Sequence, residues 1–193
     1  MKTFSFFTLV TIACMAPIVS ASAEREASNN QPRTKLEAFL LENGQIIIKD
    51  YYALGKISGL YGSDIEIKAL VTYEQGKEDQ RLKGFQIDVH ERGRHERSET
   101  LYLDREEIEA LSQAIEYMIH VSAKWKTVRK NNTEVVFSTK DTFKIGFYQK
   151  GFVWQGFSST GNTGEAICQF NSPEEFRSIK ALADSGLELL KQK

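Results

Sequence analysis

The sequence predicts an α+β fold made of two consecutive antiparallel units, each with four strands followed by one helix (ββββα-ββββα), packed around a shared core. Two long amphipathic stretches give the helices, near residues 104–126 and 172–190. Each stretch follows four short segments rich in β-branched and aromatic residues. Short turns join these segments, which favours antiparallel meanders over parallel crossovers.

The first predicted helix runs from Asp104 to about Lys126 and follows a clear apolar period. Asp104 is a favourable N-cap, and Glu107 three residues later completes a capping-box pattern. Residues at steps of three and four share one side of a helix, so they form a single stripe. The members of this stripe are Ile108, Leu111, Ile115, Met118, Ser122 and Trp125.

The closing helix carries a similar start signal. Ser172 is a favourable N-cap, and Pro173 suits the first helical position because it has no N–H to leave unpaired. An apolar stripe then follows at helical spacing. Its members are Phe176, Ile179, Ala183, Leu187 and Leu190.

Eight segments read as strands, four before each helix. The first four are 45–54, 64–74, 83–90 and 98–103. The second four are 134–139, 142–148, 152–158 and 165–170. The segment 34–42 is ambiguous. A short helix ending at Gly44 is favoured, because Thr34 and Glu37 form a capping box, and a tight hairpin turn at Asn43-Gly44 is the alternative.

Residues 1–23 have the pattern of a secretory signal. A lysine precedes the apolar run 4–19, and Ala21-Ser22-Ala23 forms a cleavage sequence. Cleavage near Ala23 predicts export to the periplasm or the exterior of a bacterium. The polar segment 24–33 is expected to be a flexible leader. Residues 34–193 are then expected to be one domain with pseudo-repeat halves at about 45–130 and 133–193, without a transmembrane segment.

Charge and cysteine content narrow the classes of partner. The chain has 25 basic and 26 acidic residues, so it has no general attraction to nucleic acid or anionic lipid. Cys168 is the single cysteine after the predicted signal, which excludes an internal disulfide. A buried structural role is favoured for it over a catalytic one. No cofactor is predicted, and the sequence does not indicate an oligomeric state.

Several stretches carry a resemblance to known proteins. The stretches LYLDREEIEAL, IEYM, TEVVFSTKDTFKIGFYQKG and SPEEF resemble small exported bacterial proteins without an assigned activity. This resemblance implies export and a shared fold. The order of elements is similar to that of the Whirly family of single-stranded DNA-binding proteins. The lysine-glycine-lysine motif of that family is missing here, so no functional residue is carried over.

Two groups of residues are candidate sites. His90 and His95 flank a charged turn, and with Glu96 they have the ligand types of a metal site. The alternative is a solvated hairpin tip. Tyr148, Phe152 and Trp154 are predicted to share one sheet face that could stack on a ligand. The alternative is that a helix covers them.

The predicted function is that of an exported, non-enzymatic binding or envelope-associated domain. Its expected partner is another envelope or extracellular protein, or a small ligand. No catalytic residue is assigned, because none of the usual nucleophile, metal or phosphate motifs occurs. One alternative is an enzyme whose site is assembled near His90 and His95. Single-stranded nucleic-acid binding by analogy of fold is the third hypothesis, and nucleic acid is not the expected partner.

Overall fold

The computed structural model describes residues 32–92, 96–161 and 165–193. The predicted signal, and the leader up to residue 31, lie outside these described residues. The helices and strands follow the predicted order. They are α1 (Lys35–Leu40), β1 (Ile47–Ser58), β2 (Asp64–Glu74), β3 (Leu82–Glu91), β4 (Arg97–Asp104), α2 (Arg105–Trp125), β5 (Lys130–Ser138), β6 (Lys144–Gly151), β7 (Val153–Ser159), β8 (Ile167–Phe170) and α3 (Glu174–Gln192). A short 3-10 turn, Leu60–Gly62, joins β1 to β2.

The strands form two separate antiparallel sheets. The first has the order β1-β2-β3-β4 and the second the order β5-β6-β7-β8. Every strand therefore pairs with its neighbour in the chain, as short connections require. The predicted α+β class and the ββββα-ββββα order are confirmed.

Helix α2 buries the stripe that its sequence period predicts. Ile108, Leu111, Ile115 and Met118 are all buried on it, and Trp125 packs at the edge of the core. The capping box at its start is present, with the Asp104 N–H donating to Glu107 Oε2 at 3.2 Å. Both sheets and both long helices contribute to one continuous apolar core, so the two halves share a single interior.

Helix α3 belongs to the second half of the sequence but packs against the first sheet. A Cβ on Gly186 would lie 2.4 Å from the Phe85 ring and 2.5 Å from Leu54, so the backbone of α3 comes very close to strands β1 and β3 there. The helix begins at Glu174 with Pro173 as its N-cap, so the predicted N-cap Ser172 stands one position earlier, although its hydroxyl accepts a hydrogen bond from the Glu174 N–H at 3.1 Å. The buried stripe matches the prediction except at Leu187, which is only partly buried.

The ambiguous segment before β1 is a helix, which confirms the favoured alternative. Thr34 accepts from the Glu37 N–H at 3.0 Å, and Glu37 accepts from the Arg33 N–H at 2.6 Å. The N–H groups of Lys35 and Leu36 donate to the two carboxylate oxygens of Asp104, both at 3.0 Å. The same aspartate therefore stands at the start of α2 and anchors the start of α1.

Two strands, β1 and β5, each extend four residues beyond one predicted end. Strand β1 continues past Gly55 to Ser58, because a register shift leaves Leu54 unpaired and Gly55 resumes the pairing opposite Ile67. Strand β5 begins at Lys130 rather than at Glu134. Its polar first residues pair with the β6–β7 hairpin across a second register shift, and a polar edge strand has no alternating pattern to reveal it.

Candidate functional site

The hairpin between β6 and β7 decides which way its aromatic residues face. Its loop consists of Gly151 and Phe152, and Gly151 has the positive φ of 65° that suits a tight two-residue turn. Across this hairpin Tyr148 pairs with Gln155, and Gln149 pairs with Trp154. Directly paired residues share a face, so Tyr148 and Trp154 lie on opposite faces of the sheet. The predicted common face of Tyr148, Phe152 and Trp154 is therefore wrong. Tyr148 shares its face with Gln155, and the adjacent residue along β7, Trp154, must lie on the other face.

The outer face of this sheet carries a row of polar side chains. The Tyr148 hydroxyl donates to Gln155 Oε1, and Gln155 Nε2 donates to Gln169 Oε1 at 2.9 Å. Tyr148 is thus partly exposed and held in a cross-strand row on three neighbouring strands. It lies away from the aromatic cluster on the inner face.

The inner face carries that aromatic cluster. The Trp154 ring stacks on Phe147 with centroids 5.7 Å apart, and it meets Phe176 of α3 edge-on at 5.6 Å. Its indole nitrogen is buried and has no hydrogen-bond partner among the described residues. Since that nitrogen is covered, a molecule approaching Trp154 meets the carbon skeleton of the ring rather than its donor.

Gln149 joins the end of α2 to the hairpin. Its side-chain nitrogen lies within hydrogen-bond distance of three carbonyl oxygens, at 3.2 Å from Trp125, 2.8 Å from Val128 and 3.2 Å from Gly151. The residue is buried. Gln149 is not among the residues predicted from the sequence to form a site. Its signal is the polar side chain at the inward position that follows Ile145 and Phe147 along β6.

A cavity of about 480 Å³ opens between the end of α2, the β6–β7 hairpin and the start of α3. We call it the Trp154 cavity. Its wall combines aromatic, small and polar side chains with two cations and one carboxylate. They are Ser122, Ala123, Lys126, Gln149, Phe152, Trp154, Asn171, Ser172, Pro173, Glu174 and Arg177.

The chain around this cavity is locally basic. The three segments that line most of it, 124–130, 149–154 and 171–177, contain six lysines and arginines against two glutamates, whereas the whole chain has a net charge of −1. Lys126 is exposed, and no ion pair of it occurs among the described residues. Arg177 Nε lies 3.1 Å from Glu174 Oε2 in an exposed pair. Lys130 Nζ lies 3.8 Å from the centre of the Trp125 ring.

The three aromatic residues predicted to form a ligand site therefore do not lie together. Phe152 and Trp154 line the cavity, and Tyr148 does not. The basic run 124–130 contributes Lys126 to the cavity.

Of the three predicted metal ligands, His90 lies near the end of β3 and Glu96 just before β4. His90 and Glu96 border a separate depression of about 310 Å³, where His90 Nδ1 is 2.9 Å from the Ser98 hydroxyl. His95 lies outside the described residues. Within the described part of the chain no group of three or more His, Cys, Asp or Glu side chains converges as metal ligands. The metal site stays a prediction.

Cys168 is buried, as predicted for a structural cysteine. Burial raises the pKa of its thiol to about 11, although the Ser63 hydroxyl 3.4 Å from the sulfur opposes that rise. A thiol with this pKa is protonated at neutral pH and is a poor nucleophile.

Comparison of the chain with models of protein families, with curated proteins and with solved structures gave no match. Across the helices that the structure describes, none combines the length and the apolar character needed to cross a bilayer.

Proposed function

We propose that this protein is an exported, non-enzymatic binding domain and that the Trp154 cavity is its binding site for a small ligand. The observation that carries the proposal is the composition of the cavity wall, where Phe152 and Trp154 stand with Lys126 and Arg177 around about 480 Å³. Small-molecule sites typically have roughly 300–1,000 Å³, apolar walls and a few polar groups that orient the ligand. The signal-like composition of residues 1–23 supports export.

The side chains of the wall favour binding over catalysis. The Ser122 hydroxyl donates to the Ile119 carbonyl at 3.0 Å, and the Ser172 hydroxyl accepts from the Glu174 N–H. Glu174 is paired with Arg177. A nucleophilic hydroxyl needs a base within hydrogen-bond reach, and neither serine has such a partner among the described residues.

The test uses a variant that fills the cavity from an exposed helix position. Ala123 is exposed on α2 and lines the cavity, so Ala123→Phe places a ring in it. Ala181→Phe is the matched control, because Ala181 is exposed on α3 and is not part of the wall. Both changes lower helix propensity by a similar amount, roughly 0.5 kcal/mol.

A panel of anionic, cationic and neutral compounds, oligosaccharides and short peptides is then screened by thermal shift and by tryptophan emission. The proposal predicts that at least one class stabilises the wild-type chain and Ala181→Phe but not Ala123→Phe. It is contradicted if no compound binds at millimolar concentration, or if Ala123→Phe binds every ligand as the wild type does.

A further inference from the structure

We infer that the ligand of the Trp154 cavity is a small organic anion with an aromatic body, such as an aromatic carboxylate. This inference rests on the proposed function and adds the chemical class of the ligand. It depends on three features of the wall, namely two cations on different elements, a basic surround and an aromatic side.

The two cations approach the cavity from different elements. Lys126 follows the last residue of α2, and Arg177 lies in the first turn of α3. Both belong to the wall, so an anion inside can meet positive charge from two elements. Two cations held apart in this way orient a carboxylate better than one exposed lysine does, because a carboxylate that contacts both of them has fewer possible orientations.

Arg177 remains available although it is paired with Glu174. The pair spans three residues on one helix, and its side chains are 51% and 74% exposed. Exposed pairs of this kind contribute little, with a median of about 0–1 kcal/mol. A guanidinium also has five N–H donors, so it can hold a glutamate and a ligand carboxylate together.

The sequence segments that contribute to the cavity also carry a net positive charge. Lys124, Arg129, Lys130 and Lys150 lie in the segments that line it, with Glu174 and Glu175 as the acidic residues of those segments. The charged residues of the wall itself are Lys126, Arg177 and Glu174, a net charge of +1 on a chain of net charge −1, which favours small anions over small cations. Binding should therefore weaken as salt increases.

The aromatic wall selects the body of the ligand. Phe152 is 65% exposed at the tip of the hairpin, next to Val153 at 69%. Trp154 is held in place by Phe147 and Phe176. A fixed indole and an exposed phenyl group provide stacking surface for a planar apolar ring. A simple aliphatic anion would meet the cations without using this surface.

The experiment compares three probes by titration calorimetry on the full chain at low salt: naphthoate, its neutral isostere naphthamide, and acetate. Naphthoate has both the ring and the charge, and each of the others lacks one of them. We expect naphthoate to bind at least about tenfold more tightly than either, since a single well-placed charged contact accounts for roughly that factor. Raising the salt should reduce this preference.

Charge variants then assign the effect to residues. Lys126→Gln and Arg177→Gln should each weaken naphthoate binding about fivefold and leave naphthamide binding unchanged. Lys49→Gln makes the same change of charge at an exposed position on β1, in the other sheet, and should leave both unchanged. Thermal midpoints close to wild type would show that the variants are folded, as expected for exposed substitutions.

The outcomes separate this inference from the proposed function. If naphthoate and naphthamide bind equally and Ala123→Phe blocks both, the cavity is a binding site but the preference for an anion is overturned. If Lys49→Gln weakens naphthoate as much as Lys126→Gln does, the attraction is a general charge effect and the inference is again overturned. If neither aromatic probe binds while another class of the panel does, the ligand class is wrong and the cavity remains the site.

Discussion

The Asp141 carboxylate, in the turn between β5 and β6, accepts a hydrogen bond from the backbone N–H of Tyr102 on β4, 2.7 Å away. This bond ties the turn of the second half to the last strand of the first half. Beside it, Glu107 of α2 accepts from the Lys140 N–H at 2.7 Å. Arg33 donates to the Thr142 hydroxyl at 3.0 Å. The joint between the halves is therefore built on buried carboxylates, and it should respond to pH.

Asp141→Asn should reveal that response. Burial raises the pKa of Asp141 to about 6, against the bond from Tyr102, and the charges of Glu37 and Glu107 raise it further. The folded state then holds a proton that the unfolded state has released above about pH 4. The stabilisation from this proton is complete below that pH and is lost as the pH rises through about 6. Urea unfolding should show that the free energy of unfolding of the variant, relative to that of the wild type, rises by on the order of 1 kcal/mol between about pH 4 and pH 7.

Asp88→Asn is the control of opposite sign. Burial alone would raise the pKa of Asp88, but hydrogen bonds from Thr100, Lys68 and Gln86 outweigh it and hold the pKa below the ordinary value. The stability from this carboxylate is present above the unfolded pKa and is lost as the pH falls through the lower folded value. The variant should therefore be destabilised at neutral pH, and less so below about pH 4. A parallel pH dependence of the two variants would contradict the assignment.

Gln149→Leu should loosen the contact between α2 and the hairpin. Leucine has a similar size but leaves the carbonyl groups of Trp125, Val128 and Gly151 without the amide donor. Losing a donor to buried acceptors costs about 1–3 kcal/mol, measured by urea unfolding. Gln155→Leu makes the same change on the outer face, where water replaces lost bonds, and should cost less than about 1 kcal/mol. Equal losses would show that Gln149 has no special role.

Cys168 should be inert to alkylation in the folded chain. With Cys14→Ser, Cys168 is the single thiol of the protein. It is buried, and the pKa of about 11 keeps it protonated at neutral pH. Iodoacetamide, followed by intact mass, should leave it unmodified in buffer and modify it fully in denaturant. Rapid modification of the folded chain would mean that this strand is accessible.

Helix starts, apolar stripes and alternating strands are local patterns, and these positioned the elements correctly. The start of α2 is predicted by a short pattern, namely Asp104, Ile108 and Leu111. In the structure Asp104 caps the helix and the two apolar residues are buried, so local pattern and tertiary packing agree. The bounds predicted for the segment 64–74 are those that the structure has, because apolar residues alternate through most of it and turns flank it.

The lining of the Trp154 cavity could not be predicted, because it depends on loop length and on contacts between distant segments, which no local sequence pattern contains. The faces of Tyr148 and Trp154 are decided by the length of one hairpin loop, and a change of one residue there would reverse them. The cavity is formed by three segments that are distant along the chain, so neither Lys126 nor Arg177 could be assigned to it in advance. Gln149 does have a signal in the sequence, because it is a polar residue at an inward position of a strand.

The most direct test follows the Trp154 indole N–H by nuclear magnetic resonance in a chain carrying Trp125→Phe. Trp154 is then the single tryptophan, and its indole resonance reports on the wall of the cavity. Our account predicts that this resonance shifts and saturates as naphthoate is added, and that it does not move when Ala123→Phe is also present. An indole resonance that stays unchanged while calorimetry shows naphthoate bound to the same chain would contradict the assignment of the Trp154 cavity as the binding site.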